Sequence, residues 1–237
     1  MKKLKHRLPA FSVIDHLSLD DILLNELVDV FNELQNEFVS VLETNKKLCS
    51  VNHEFTKSIY DNFFQISLTD SDANIDNVNL DLCESTYKEI HKYTKSTSIR
   101  NKKILSETPG SSLNEKEYGK LTDHYNRYKD IFDQVLLKFK GKPTRVRLVK
   151  LQAGSSLTPH IDYDPSYAVR IIIPIISNDE CVNLFWVKNE VLSTSFIPGK
   201  AYFLNTGYKH SVINLSKEDR YTFLVSVDGT EDIDHLL

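Results

Sequence analysis

The spacing of apolar residues changes near Thr144 and divides the chain into two parts. Before it, apolar residues recur at three- and four-residue steps over residues 23–42 and 118–139, which is typical of amphipathic helices. After it, short alternating and β-branched segments are separated by Gly, Pro, Asn and Asp, which is typical of strands joined by turns. The pattern predicts a mainly helical first part and a strand-rich second part that folds as a β sandwich or barrel.

Local signals suggest where the elements of the first part begin and end. Ser18 is a candidate N-cap for a first helix of about seven turns. Ser112 and Glu115 have capping-box spacing for a second helix, and Gly141 followed by Pro143 is typical of that helix's C-terminal end. Residues 8–14 and 63–68 have the apolar character of short strands.

A segment rich in Asp and Asn, residues 69–81, interrupts the first part. Such a composition predicts a surface loop. The residues alone leave two interpretations open: a solvated connection, or a flap that covers a functional site.

Composition narrows the possible partners. The 237 residues carry a net charge of -4 and have a pI near 6.1, which gives no general attraction to nucleic acid or to an anionic membrane. The three cysteines are widely spaced and odd in number, so we expect no disulfide framework and a reducing cytoplasmic location. The basic start lacks a following apolar stretch and is not typical of a signal peptide. We therefore expect no nucleic-acid and no membrane partner, while the oligomeric state is left open.

Three residues of the strand-rich part are candidate metal ligands. His160 and Asp162 are two residues apart in an extended segment, so their side chains point to the same side. His210 heads a later predicted strand and would complete a set of two imidazoles and one carboxylate. Such a set with open positions suits a non-haem Fe(II) that activates O2. The alternatives are an incidental His–Asp pair and a structural metal.

Arg220 is a candidate for binding a carboxylate. It starts an alternating strand on which Arg220, Thr222, Leu224 and Ser226 face one way. A buried guanidinium needs a partner, because an unpaired buried charge is costly, and a bound dicarboxylate would be one. A surface-facing or salt-bridged arginine is the alternative.

Further arginines are weaker candidates for the same role. Arg170 directly precedes an apolar run and lies on the same side of its strand as Ile172. It would bind a carboxylate of the co-substrate or substrate, or form a cross-strand ion pair instead. Arg145 and Arg147 share one face of a predicted strand and are candidates of the same kind.

Residues 145–228 resemble the Fe(II)/2-oxoglutarate-dependent oxygenase superfamily. Within it they resemble the aspartyl/asparaginyl β-hydroxylase-like branch, which also includes free proline hydroxylases. The residues that carry the resemblance are, in chain order, Arg147, Leu151, Gly154, His160, Asp162, Arg170, Ile172, Ile173, Pro174, Gly199, Tyr202, Phe203, His210, Asn214 and Arg220.

The resemblance implies roles for the candidate residues. His160, Asp162 and His210 would hold Fe(II), and Arg220, ten residues after His210, would bind the distal carboxylate of 2-oxoglutarate. Arg170 would bind the C1 carboxylate of 2-oxoglutarate or a carboxylate of an amino-acid substrate. Asp162 is a departure from the animal members of the branch, which lack a metal carboxylate, and it implies the ordinary three-ligand site.

The implied fold is α+β, with a double-stranded β-helix (a cupin-like jelly roll) backed by N-terminal helices. We expect one domain over residues 1–237, with 1–141 as mainly helical support and 142–230 as the catalytic core. The implied function is hydroxylation of a small carboxylated substrate, a free amino acid or a derivative, with Fe(II), 2-oxoglutarate and O2, and with ascorbate as an aid in vitro. The alternatives are a hydroxylase of peptide or protein side chains with the same cofactors, and a non-catalytic jelly-roll binding module.

Overall fold

A computed structural model describes residues 4–40, 62–70 and 118–237. The predicted capping box at Ser112 and Glu115 and most of the 69–81 loop lie outside these residues. Within them no helix is both long and apolar enough to cross a membrane.

The described residues form helices and strands in the following order. The first part contains the 3-10 turn Leu4–His6, β1 (Phe11–Val13), the 3-10 turn Asp15–Leu17, α1 (Asp21–Glu33), β2 (Val39–Ser40), β3 (Phe63–Ser67), β4 (Thr69–Asp70), β5 (Lys120–Leu121), α2 (Asp123–Arg127) and α3 (Lys129–Leu136). The second part contains β6 (Lys142–Leu151), β7 (Ser156–His160), β8 (Val169–Ile176), β9 (Cys181–Val187), β10 (Glu190–Ser195), β11 (Tyr202–Leu204), β12 (Lys209–Asn214), β13 (Arg220–Asp228) and the 3-10 turn Asp234–Leu236.

The strands β6 to β13 form a jelly roll of two antiparallel sheets. The large sheet contains the order β11-β8-β13-β6, and the small sheet has the order β10-β9-β12-β7. Successive strands mostly change sheet, so the chain winds around the space between the two sheets. The predicted double-stranded β-helix is therefore confirmed.

Strands of the first part extend the large sheet at both edges. β1 pairs with β11 at one edge, while β3 pairs with β6 at the other and carries β2 beyond it. β1 and β3 are the strands expected within residues 8–14 and 63–68. The support from residues 1–141 thus includes strands as well as helices, and the single-domain boundary stays a prediction.

The first predicted helix is shorter than its apolar stripe. α1 covers 13 residues and is capped by Asp20, whose side chain accepts from the backbone N–H of Leu23. Ser18 instead accepts from the N–H of Ala201. The expected seven turns and the Ser18 cap were wrong, because the chain leaves the helix at Leu34 and pairs residues 39–40 with β3.

The second predicted helix is broken into two short helices. It begins at Thr122, whose hydroxyl accepts from the N–H of Tyr125, and it is interrupted at Tyr128, where φ is -123°. α3 ends at Leu136, so Gly141 is not its cap. A side chain at Gly141 would place Cβ 2.5 Å from the Val227 methyl group, so close packing against β13 requires glycine there.

The large sheet separates two apolar layers. On its outer face Phe223 and Val225 pack against the helices, including a ring contact of 6.0 Å between Phe132 and Phe223. Burying a phenylalanine of this kind contributes about 1.5–3 kcal/mol. On its inner face Leu224 and Ile172 pack towards Phe185 of the small sheet. The packing of Phe223 and Val225 on one face and Leu224 on the other confirms the predicted alternation of side chains along β13. Arg220 shares the face of Leu224 and therefore points towards the space between the sheets.

Candidate metal centre

A cavity of about 120 Å³ lies between the two sheets. All of the candidate site residues predicted from the sequence line it: His160, Asp162, Arg170, His210 and Arg220. The small sheet supplies the two histidines and the large sheet the two arginines. The site therefore forms only where the two layers of the jelly roll face each other.

Strand pairing brings the two histidines together. His160 is the last residue of β7 and pairs directly with His210 near the start of β12, which places their ring centroids 4.4 Å apart. Asp162 follows in the loop after β7, with its carboxylate oxygens 3.7 Å from His160 Nε2 and 3.9 Å from His210 Nε2. One ligand atom from each of the three residues lies within 4.8 Å of the others.

Backbone carbonyls orient both imidazoles. His160 Nδ1 lies 2.7 Å from the carbonyl oxygen of Thr158, and His210 Nδ1 lies 3.0 Å from that of Tyr208. A carbonyl only accepts, so Nδ1 of each ring carries the proton and Nε2 keeps its lone pair. Hydrogen bonds of this kind are the usual support of a metal-binding histidine.

The electrostatics of the three residues suit a bound cation. Burial, with a contribution from His160, lowers the pKa of His210 to about 4, so its imidazole is neutral at pH 7. The Nε2 lone pair of His210 then faces the Asp162 carboxylate, an arrangement that a divalent cation between them would stabilise. The donor set therefore fits the metal that the sequence implied.

The loops that carry the candidate ligands are tied to residues 4–9. The Asp164 carboxylate, two residues after Asp162, accepts from the backbone N–H groups of Leu4 and Lys5. The Asn205 amide, on the loop before His210, donates to the carbonyls of Lys5 and Pro9, each at 3.0 Å. One short segment thus contacts both the loop after His160 and the loop before His210, which carry or flank the candidate metal ligands.

We expect Asn205→Ala to loosen this connection. Asn205 is fully buried, and losing its hydrogen bonds leaves carbonyls unsatisfied at a cost of about 1–3 kcal/mol. The affinity for Zn(II) should fall by roughly tenfold, as for other residues that orient metal ligands. Denaturant unfolding and metal titration would measure the two effects. Asn189→Ala, at an exposed turn, is the matched control, and equal Zn(II) affinity in both variants would contradict the role of Asn205.

Arg220 is buried deep in the same cavity. Its Nη2 donates to the Asn183 side-chain oxygen at 3.5 Å, and its buried Nε has no hydrogen-bond partner among the described residues. Burial lowers the pKa of Arg220 to about 10, so the guanidinium stays charged at pH 7. A buried cation with an unused donor is suited to bind a carboxylate.

Arg170 lies beside the candidate metal ligands. Its Nε donates to the Tyr163 hydroxyl at 2.9 Å, and its Nη1 lies 3.9 Å from an Asp162 carboxylate oxygen. Tyr163 in turn hydrogen bonds with Ser226 at 3.1 Å. The Arg170 guanidinium thereby contacts Tyr163 along one edge and faces the Asp162 carboxylate along another.

Sequence reasoning missed two residues that orient the candidate site. Tyr163 holds Arg170, and Asn183 contacts Arg220. Tyr163 directly follows Asp162, so its position next to the ligand pair was an available signal. No comparable signal pointed to Asn183, because Asn183 comes close to Arg220 only where β9 packs against β13 across the two sheets.

Residues 113–229 match the family described as Aspartyl/Asparaginyl beta-hydroxylase. No curated protein sequence matches the chain. Similar solved structures include a prolyl-4-hydroxylase from Pseudomonas putida, at 10% identity and a TM-score of 0.45 over 92% of this chain and 91% of that one. A 2OG-Fe(II) oxygenase family protein from Burkholderia pseudomallei has 8% identity and a TM-score of 0.37 over 71% and 69%. A cupin domain from Bordetella pertussis has 14% identity and a TM-score of 0.30 over 38% and 88%.

The family match over residues 113–229 and the jelly-roll topology support the assignment of this chain to the Fe(II)/2-oxoglutarate-dependent oxygenase superfamily. Within that class of enzymes the matched family is that of the aspartyl/asparaginyl β-hydroxylases. The match supports an oxygenase of the hydroxylase type, and the superfamily implies Fe(II), 2-oxoglutarate and O2.

Proposed function

We propose that the chain hydroxylates a small carboxylated substrate, a free amino acid or a derivative, with His160, Asp162 and His210 holding Fe(II). The observation that carries this proposal is the convergence of those three ligands with the buried cation of Arg220 in one cavity. Iron held there would supply the chemistry by which 2-oxoglutarate and O2 become succinate and CO2 while a substrate C–H becomes C–OH.

The protein's own side chains orient the reactants and exclude water. Arg220 binds the distal carboxylate of 2-oxoglutarate through its unused Nε–H. Leu224 and Ile172 line the wall of the large sheet and keep that part of the cavity apolar, which strengthens the ion pair with Arg220. Arg170, held by Tyr163, binds a carboxylate close to the metal ligands.

The walls of the cavity favour a small substrate over a peptide or protein side chain. Arg145, Arg147, Arg170 and Arg220 line it, and each is at most 8% exposed. Buried guanidinium groups suit carboxylates that enter the space between the sheets and lose their water there. A peptide segment would need an open groove with backbone hydrogen-bonding partners.

Succinate formation tests the proposed function. Purified protein with Fe(II), ascorbate and 2-oxoglutarate should form succinate, and one or more members of an amino-acid panel should accelerate it and gain a hydroxyl group. Samples with EDTA in place of Fe(II) serve as the control, since the ligand set holds the metal on which turnover depends. NMR measures succinate and product together. Turnover accelerated by peptides and by no small molecule would overturn the assignment of substrate.

A further inference from the structure

An added strand lines the cavity beside Arg220. β3 lies outside the jelly roll and pairs with β6, with Phe63 opposite Leu151. On the other side of β6, Leu151 pairs with Arg220 of β13. Residues directly opposite each other in a sheet share a face, and all three line the cavity. Phe63 thus brings an aromatic ring from outside the jelly roll into the row of side chains that holds Arg220.

This row lies at the deep end of the cavity, away from the candidate metal ligands. Arg170 marks the other end, because its Nη1 lies 3.9 Å from an Asp162 carboxylate oxygen. Arg170 pairs with Ser226 of β13, six residues beyond Arg220. A 2-oxoglutarate molecule that spans the distance from the metal ligands to Arg220 would therefore place its distal carboxylate beside the row of Phe63.

The opposite wall of this end belongs to the small sheet. Val212 pairs with Asn183 on one side and with Leu157 on the other, and these three residues also line the cavity. The Asn183 side-chain oxygen accepts from Arg220 at 3.5 Å, so the two rows face each other across the cavity. Polar groups thus occupy one end of the facing rows, and apolar side chains occupy the rest.

Arg220 is the group in the two rows that can hold a carboxylate. A buried carboxylate needs hydrogen-bond donors, and the amide of Asn183 donates to the Thr194 carbonyl at 3.3 Å. The remaining side chains of the rows are apolar. A longer dicarboxylate would have to press a methylene group against them or move its carboxylate away from Arg220. Phe63 is the largest of these side chains and is only partly buried, so its truncation would open space without emptying the core.

We propose that Phe63 is a specificity-determining residue that sets the chain length of the 2-oxo acid bound by Arg220. Its ring closes the space beside the guanidinium, so that 2-oxoglutarate fits and 2-oxoadipate, which is one methylene longer, does not. This inference rests on the proposed function, which assigns the distal carboxylate to Arg220. A single methylene group in an apolar pocket discriminates between ligands by about 10- to 200-fold, which is large enough to measure.

Titration calorimetry on the intact chain tests this inference. The protein is loaded with Zn(II) to prevent turnover, and 2-oxoglutarate and 2-oxoadipate are titrated separately. The wild-type protein should bind 2-oxoglutarate more than about tenfold more tightly than 2-oxoadipate. Phe63→Ala should reduce this preference to less than about threefold, because the longer oxo acid gains the space of the ring. A merely structural role of Phe63 would weaken both oxo acids to the same extent and leave the ratio of their affinities unchanged.

The neighbouring residue on β3 provides a matched control. Phe64 faces the other side of the sheet, where Lys150 Nζ lies 4.9 Å from the centre of its ring, so Phe64→Ala should keep the wild-type preference. An equal loss of preference in Phe64→Ala would assign the effect to β3 as a whole and overturn the inference. Phe63→Leu is a milder second variant, which decides if Phe63→Ala does not fold, and it should lower the preference at least about twofold.

The possible failures are distinguishable. If the wild-type protein binds 2-oxoglutarate with metal and the Phe63 variants show the same preference over 2-oxoadipate, the role of Phe63 is overturned and the proposed function stands. A protein that binds no 2-oxoglutarate in the presence of metal overturns the proposed function itself.

Discussion

His210→Ala is expected to abolish turnover and to lower the affinity for Fe(II) or Zn(II) by more than about 100-fold, because even residues that only orient a metal ligand contribute about 10- to 100-fold. The imidazole is buried, neutral at pH 7 and aimed by the Tyr208 carbonyl towards Asp162. No other histidine of the described residues except His160 shares this cluster. Competition with a chelator of known affinity measures the change.

A second histidine variant provides the control. His124 lies on α2, away from the cavity, and contacts Glu37 on the surface. His124→Ala should retain metal affinity and turnover. Unchanged metal affinity in His210→Ala would show that the metal-ligand assignment is wrong, whatever happens to activity.

Arg220→Gln is expected to lower the affinity for 2-oxoglutarate by about 30-fold or more. Truncating one partner of a buried, hydrogen-bonded charge pair costs about 2–5 kcal/mol, and each 1.4 kcal/mol is about a factor of ten. The free protein should lose little stability, because the substitution also removes a charge that is buried with an unused Nε–H. Titration of 2-oxoglutarate into Zn(II)-loaded protein measures the affinity.

Two further measurements make the Arg220 result specific. The affinity for Zn(II) without co-substrate should match that of the wild-type protein, because Arg220 is not one of the three candidate ligands. In a thermal shift, 2-oxoglutarate at about 100 times its Kd should stabilise the wild-type protein by about 2.7 kcal/mol, and the variant much less. Equal shifts in both proteins would refute the carboxylate role.

The part of the site that could be predicted depends on local geometry. Residues two apart in an extended segment share a side, so His160 with Asp162 and the common face of Arg220, Thr222 and Leu224 could be predicted. Alternation alone left a surface-facing Arg220 open, and the structure turns that face towards the cavity. The pairing of His210 with His160 depends on strand order, and the resemblance to a known family supplied it. The C-terminal end of α1 could not be predicted from the apolar pattern. The apolar spacing continues after Leu34, but the chain leaves the helix there and residues 39–40 pair with β3.

Several expectations depend on conditions outside the fold. The cytoplasmic location, the benefit of ascorbate and the single-domain boundary over residues 1–237 stay predictions. The 69–81 loop, which would distinguish a covered site from an open one, lies mostly outside the described residues.

The attachment of residues 4–9 to both ligand-bearing loops has a practical consequence for protein production. A fusion partner or affinity tag joined close to Leu4 would disturb the hydrogen bonds that the backbone N–H groups of Leu4 and Lys5 donate to Asp164. Preparations with such a tag should bind iron less completely than preparations with a tag placed after Leu237. Incomplete iron loading of a recombinant sample would then reflect the position of the tag and not a weak metal site.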